Sequence, residues 1–214
     1  MAEELPILEA HPTGAFLCNA YILGCPRTRS GIVIDPGDEP DMLLERVRAL
    51  GLHIEALVHT HTHLDHVGAT RRLSEELGAP ILIHREDLKL YDLLRDQRRL
   101  FGFPEGDAPK RPDRLLEHGE EVVAGDLRLR VIHTPGHTLG SICVAWGDRL
   151  FSGDTLFRGS IGRTDLGGTS PEELVRSIRE RIYPLGDPQV LPGHGEATTL
   201  EEERRTNPFL SSRK

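Results

Sequence analysis

Residues 59–68 read HTHTHLDHVG, four histidines in eight positions with an aspartate among them. Histidine is the commonest neutral-nitrogen metal ligand, so this density points to metal coordination before any other chemistry. In register, residues 61–66 give H-x-H-x-D-H, that is His61, His63, Asp65 and His66. On a tight loop this spacing turns His61 and His63 to one point while Asp65 and His66 face a second. Two ions need more donors, and the chain offers three: His137 in TPGHT, Asp154 in SGDT and His194 in PGHG. Each stands beside glycine, which lets the backbone turn sharply and an ion approach closely. The pattern assigns His61, His63 and His137 to one ion and Asp65, His66 and His194 to the other, with Asp154 as the bridge. Three protein nitrogens around an ion leave a position for water, the mark of a catalytic rather than a structural site. The expected cofactors are two divalent ions, zinc foremost, since such donors also accept iron and manganese.

The elements that must position these residues alternate in kind. NAYILG and SGIVIDPG are short, β-branched and closed by glycine or proline, which predicts a hairpin of two strands. EPDMLLERVRALG carries Leu43, Leu44, Val47 and Leu50 at helical spacing, with Gly51 as its stop. IEALVHT is a buried strand running into the histidine cluster, and HVGATRRLSEELG is a helix ending at Gly78, so the cluster sits on a strand-to-helix loop. PILIH is a further strand, residues 86–100 are helical, and residues 101–114 form a loop long enough to be a lid. EEVVAG, LRLRVIHTPG, SICVAWGD and RLFSGDT then follow as strands. SPEELVRSIRERIYPL is a helix with Ser170 and Glu173 as a capping box, and PQVLPGHGE is the last strand. Each half gives strands, helix and strand, which predicts an α/β fold of two sheets with helices outside.

Not every polar residue belongs to the site. His11, His53, His84 and His118 each stand alone and read as ordinary satisfied histidines. His59 and His133 each precede a ligand candidate by a few residues in a strand, which makes them candidates for hydrogen bonds to the ligand groups beside the ordinary reading of a satisfied histidine. Cys18, Cys25 and Cys143 form no CxxC pair and read as small hydrophobes.

Composition narrows the function classes. The formal net charge of −8 disfavours nucleic-acid binding, which normally needs a basic surface. No apolar run approaches the length of a membrane helix, and the N-terminus has no secretory pattern, so no membrane partner and a cytoplasmic location are expected.

The motif set resembles the metallo-β-lactamase superfamily from about residue 15 to His194. Within it, THTHLDHVGA, HTPGHTLGS, FSGDTLF, GSIGRTD and LPGHGEATT are similar to the short bacterial members of the glyoxalase II group, the hydroxyacylglutathione hydrolases. That resemblance implies a four-layer αββα sandwich with the metals at one edge of the sheets. It implies one such domain over residues 1–214, without the C-terminal helical domain of full-length glyoxalase II. The zinc β-lactamases that resemble this pattern carry cysteine or serine where this chain has Asp154.

The activity implied is hydrolysis of a small-molecule thioester such as S-lactoylglutathione by hydroxide generated at the metals. Asp65 would be the catalytic carboxylate, as ligand, water orienter or proton acceptor. Where full-length glyoxalase II has a Lys-Phe-Tyr stretch for glutathione, this chain has Arg163, Thr164 and Asp165, and Arg163 is the candidate partner of a substrate carboxylate. Lid residues Phe101, Phe103, Lys110 and Arg111 are candidates to cover the site. The same GRTD stretch resembles persulfide dioxygenases, which bind one iron through positions matching His61, His137 and Asp154. A lactonase and a non-catalytic metal-binding protein are the remaining alternatives.

Overall fold

The strands are placed by what covers each of their faces. The computed structural model describes residues 5–103, 108–166 and 169–210. Its first sheet contains β1 (Ile7–Thr13), β2 (Cys18–Gly24), β3 (Ser30–Ile34), β4 (His53–Val58), β5 (Ile81–His84) and β6 (Arg114–Leu116), in that spatial order. The second half contributes β7 (Glu121–Ala124), β8 (Leu127–His133), β9 (Ile142–Trp146) and β10 (Arg149–Gly153). A small hairpin, β11 (Leu156–Phe157) and β12 (Ser160–Ile161), precedes β13 (Gln189–Pro192) and β14 (Thr198–Thr199). The second sheet runs β14-β13-β10-β9-β8-β7.

Alternation along each strand sorts side chains into three apolar layers. Tyr21, Leu23, Ile32, Ile34 and Val58 of the first sheet meet Val122, Leu129, Val131, Val144 and Phe151 of the second. The opposite faces of the same strands carry Ala20, Ile22, Val33 and Leu57. These are covered by α1 (Pro40–Ala49) through Leu43, Leu44 and Val47, and by Leu73 of α3 (Thr70–Leu77), which follows the one-turn α2 (Leu64–Val67). On the far side Ile132, Cys143, Leu150 and Val190 pack under Leu174 of α6 (Pro171–Ser177) and Leu200 of α7 (Leu200–Thr206). Burial on both faces is why β2 and β3 read as continuous apolar runs. The result is the expected sandwich of two sheets between helical layers.

The pairing directions bring the site loops to one edge. Strands β3, β4, β5 and β6 are parallel, β8 and β10 both run antiparallel to β9, and β13 is parallel to β10. The segments leaving β4, β8, β10 and β13 carry the H-x-H-x-D-H motif, His137, Asp154 and His194 respectively.

Several elements depart from the sequence expectation. Strand β1 was not legible in ILEAHPT, yet it pairs antiparallel with all of β2. The expected helix over HVGATRRLSEELG is broken between α2 and α3, where the Ala69 N–H donates to the Pro36 carbonyl at 3.1 Å instead of back along the helix. The helical stretch 86–100 divides into α4 (Leu88–Asp92) and α5 (Leu94–Leu100). The far end of the expected lid is anchored as β6 beside β5, while residues 104–107 lie outside the described residues. The Ser170 hydroxyl caps its helix by accepting the Glu173 N–H at 3.2 Å, as expected.

Gly37 sits so close to the motif loop that a Cβ there would overlap the Asp65 carbonyl oxygen. Gly37→Ala is expected to destabilise the fold by about 1–3 kcal/mol, read as a lowered denaturation midpoint; an unchanged midpoint would show that the loop can yield.

Candidate metal centre

A single buried carboxylate organises the motif loop. Asp35, at the end of β3 with φ of 50° and 1% exposed, accepts the Thr60 backbone N–H at 2.7 Å and the Thr60 hydroxyl at 2.6 Å. Its Oδ2 also lies 3.0 Å from His66 Nδ1. That contact fixes the His66 ring with Nδ1–H donating outward and Nε2 turned to the centre. The same device holds two other rings: His137 Nδ1 donates to the Arg163 carbonyl at 2.8 Å, and His194 Nδ1 to the Phe16 carbonyl at 3.0 Å.

The freed nitrogens converge. His137 Nε2 lies 2.9 Å from His63 Nδ1 and 3.1 Å from His61 Nε2, and His66 Nε2 lies 3.3 Å from His194 Nε2. Asp154 stands between the two groups, with Oδ2 3.5 Å from His137 Nε2 and Oδ1 3.4 Å from His66 Nε2 and 3.7 Å from His194 Nε2. Asp65 Oδ2 is 3.1 Å from His194 Nε2 and 3.8 Å from His66 Nε2. All seven sequence candidates for ligands thus meet at one edge of the sandwich.

The donor set fits divalent metal. Asp154 Oδ1 is a buried carboxylate oxygen with no hydrogen-bond partner, surrounded by imidazole nitrogens whose other ring atoms are already committed. Such an oxygen is costly unless a cation satisfies it. His61, His63 and His137, and also His61, His66 and Asp154, bring ligand atoms close enough together to hold an ion.

Cys18 is one of the residues here that sequence reasoning missed. Its thiol joins His66 and His194 in a third such group, although burial pushes it up to about 12 and keeps it protonated. The proposed hydrophobe is therefore also a wall of the centre.

Crowding sets the proton affinities. Burial and then the neighbouring imidazoles hold His61 well below the usual histidine range, and burial with His137 and His66 brings His63 down to about 3. For His66, burial opposes charge but the carboxylates of Asp154 and Asp35 outweigh it and raise its proton affinity well above normal. His194 rises against burial through its hydrogen bond to Asp65 and the field of Asp154. Burial works against ionised Asp154 and Asp65 as well, yet the surrounding imidazoles keep both carboxyls below their ordinary values.

Braces outside the ligand set keep the loops in place. Asp87, 1% exposed, accepts the Thr62 N–H at 2.9 Å and the Gly140 N–H at 2.7 Å, tying the motif loop to the loop of His137. Gln97 of α5 accepts the Leu64 N–H at 2.9 Å and donates to the Thr62 carbonyl at 3.2 Å. On the other flank, Asn19 donates its backbone N–H to the Gly193 carbonyl at 2.7 Å, and the Tyr21 hydroxyl donates to the Pro192 carbonyl at 2.7 Å. Gly193 has no room for a Cβ, which would press on Asp154 Oδ1 and the His66 ring.

The remaining expectations divide. His59 is fully buried and approaches the His66 carbonyl at 3.3 Å, so it supports a ligand residue's backbone. His133 does not reach a ligand; it stacks on His84 at 4.0 Å and its Nε2 meets the Leu139 carbonyl. Arg163 lines the cleft over the centre, but its guanidinium is held by both oxygens of Asp165 at 2.7 and 2.8 Å. Of the lid candidates, Phe101 lines this cleft, Phe103 packs on Phe16, and Lys110 donates to Ser74 on α3.

A family model for the metallo-beta-lactamase superfamily matches residues 13–205. The chain belongs to that superfamily. It is 38% identical to hydroxyacylglutathione hydrolase GloC of Haemophilus influenzae, over 96% of this chain and 99% of that protein. Among solved structures it is similar to TTHA1623 in a di-iron-bound form, with a TM-score of 0.84 and 40% identity over 97% of this chain and 100% of the other. It is also similar to the B3 metallo-beta-lactamase BLEG-1, with a TM-score of 0.89 and 34% identity over 96% and 100% of the two chains. No helix among the described residues is long and apolar enough to cross a membrane.

Because His66 and His194 hold protons above the usual histidine range in the absence of a cation, zinc must displace protons to bind. Affinity is expected to rise with pH through the neutral range. Calorimetry in buffers of different ionisation enthalpy should read net proton release at pH 7, and buffer-independent heats would contradict it. In Asp87→Ala, each unsatisfied loop N–H costs about 1–3 kcal/mol, so the denaturation midpoint and zinc affinity should fall together.

Proposed function

We propose that this protein is a metal-dependent hydrolase that cleaves a small-molecule thioester. The observation that carries this reading is the unpartnered Asp154 oxygen at the floor of an open cleft, flanked by two groups of imidazole nitrogens. Divalent metal held there would supply Lewis acidity toward a carbonyl oxygen and a water acidic enough to ionise near neutral pH. The similarity to GloC supports a hydrolase, and the similarity to TTHA1623 in its di-iron-bound form supports a two-metal site that can take iron.

The chain's own residues supply position and proton transfer. His61, His63 and His137 would hold one ion and Asp65, His66 and His194 the other, with Asp154 between them. Asp65 is 22% exposed and lines the cleft, so its carboxylate is placed to orient an attacking water and accept its proton. A thiol leaves without a strong general acid. This matches a cleft that carries no lysine or tyrosine among its described lining residues.

A second reading rests on one feature of the same site. His137 Nε2 lies 3.1 Å from His61 Nε2 and 3.5 Å from Asp154 Oδ2, a two-histidine, one-carboxylate set suited to a single iron. Oxygen uptake by the iron-loaded protein with glutathione persulfide, without thioester cleavage, would replace the hydrolase reading with a dioxygenase.

Thiol release from S-lactoylglutathione or a simple acyl thioester by the metal-reconstituted protein is the direct test, with a β-lactam as comparison substrate. Asp154→Ala should lose metal content and about a hundredfold or more in turnover; full turnover in that variant would remove Asp154 from the centre.

A further inference from the structure

The cleft above the metal centre has an apolar rim. Phe16, Phe101 and Leu166 are 46%, 46% and 43% exposed, and all three line the cleft whose floor holds Asp65, Asp154 and His194. The rings of Phe16 and Phe101 meet edge to face at 5.9 Å, so the rim on that side is a continuous aromatic wall. Exposed apolar side chains scattered singly need no explanation, but three gathered at the mouth of a catalytic cleft mark a binding surface.

The backbone beneath the wall is strained to put it there. Residues 14–17 turn the chain from β1 into β2, with φ of 67° at Gly14 and 53° at Leu17. A leucine in the left-handed region is unfavourable where glycine or asparagine would be at ease. Leu17 is 63% exposed, so burial does not compensate. What the turn achieves is placement: its Phe16 carbonyl accepts His194 Nδ1–H at 3.0 Å, fixing the wall and a ligand ring through one peptide.

Charge in the cleft favours an apolar occupant over an anionic one. Arg163 is the one arginine or lysine among its described lining residues, and both oxygens of Asp165 already hold its guanidinium. Arg98 lines an adjoining depression that it shares with Asp38 and Asp65. A glutathionyl group, with two carboxylates, finds no uncommitted cation among the described lining residues and carries little apolar surface for the wall.

We infer that the substrate bears an apolar chain beside its scissile carbonyl, which lies against Phe16, Phe101 and Leu166 while the carbonyl faces the centre. The inference rests on the thioester reading above and narrows it. The chain belongs either to the acyl group or to the thiol, and the two are separable by experiment.

The test uses the full-length, metal-reconstituted protein and two series of thioesters. One runs from acetyl to octanoyl on a constant N-acetylcysteamine thiol, and the other varies an alkyl thiol on a constant acetyl group. In one series kcat/KM should rise about threefold per added methylene over the first several carbons, exceeding the value for S-lactoylglutathione. The series that rises identifies the side carrying the chain. Phe101→Ser and, independently, Leu166→Ser should each lower the ratio of octanoyl to acetyl kcat/KM, or its thiol-series counterpart, by about tenfold with the fold checked by circular dichroism. Measurable hydrolysis that is flat across both series, or a preference for S-lactoylglutathione over every member, overturns the inference and leaves the thioesterase reading standing. Failure to cleave any thioester overturns that reading itself.

Discussion

Five imidazoles and two carboxylates meet at one edge of the sandwich with polar atoms 2.9–3.8 Å apart, and much of the surrounding chain serves to hold them there. Left to themselves, neutral ring nitrogens that face each other at such distances repel or trap protons, and a buried carboxylate among them lacks a donor. The fold counters this by committing the outward nitrogens of His66, His137 and His194 to Asp35, the Arg163 carbonyl and the Phe16 carbonyl. Each ring then has one allowed orientation and presents one lone pair inward. Crowding is thereby converted into a preorganised set of donors.

The sandwich provides the rigidity that this arrangement demands. Strands β4, β8, β10 and β13 are buried in apolar layers and deliver their following loops to a common edge, where no loop could hold such geometry alone. Asp87 then binds the motif loop to the loop of His137, and Gln97 ties the motif loop to α5, so a disturbance at one ligand segment reaches its neighbour through the two hydrogen bonds of Asp87. The site is built on rigid elements with a supporting layer of hydrogen bonds, the requirement for positioning reacting groups within fractions of an ångström.

The convergence of the candidate ligands was legible because four histidines packed into one strand-to-helix loop, with two more beside glycine at strand ends, have few other reasons to be there. The sandwich was legible because strands covered on both faces must be continuously apolar. The braces were not legible. Asp35 in IDPGD reads as a turn residue and Asp87 in HREDLK as one more charge on a polar segment, since nothing local distinguishes an aspartate that will be 1% exposed from one in solvent. Strand β1 was missed because ILEAHPT mixes charged and apolar residues without clean alternation, as an edge strand can, its pairing being decided by β2. Cys18 and His133 reveal the same limit. Their neighbours lie far away in the chain, and local pattern does not carry that information.

The contact between the first hairpin and the last strand has a consequence in time. Asn19 and Tyr21 grip the Pro192–Gly193 backbone, and Phe16 fixes the ring of His194, so segments more than 170 positions apart in sequence close the centre against each other. During synthesis the first nitrogen group is complete once residue 137 has emerged, whereas the second waits for residue 194. The two halves of the centre therefore mature in sequence, and the full donor set waits for the segment that follows β13.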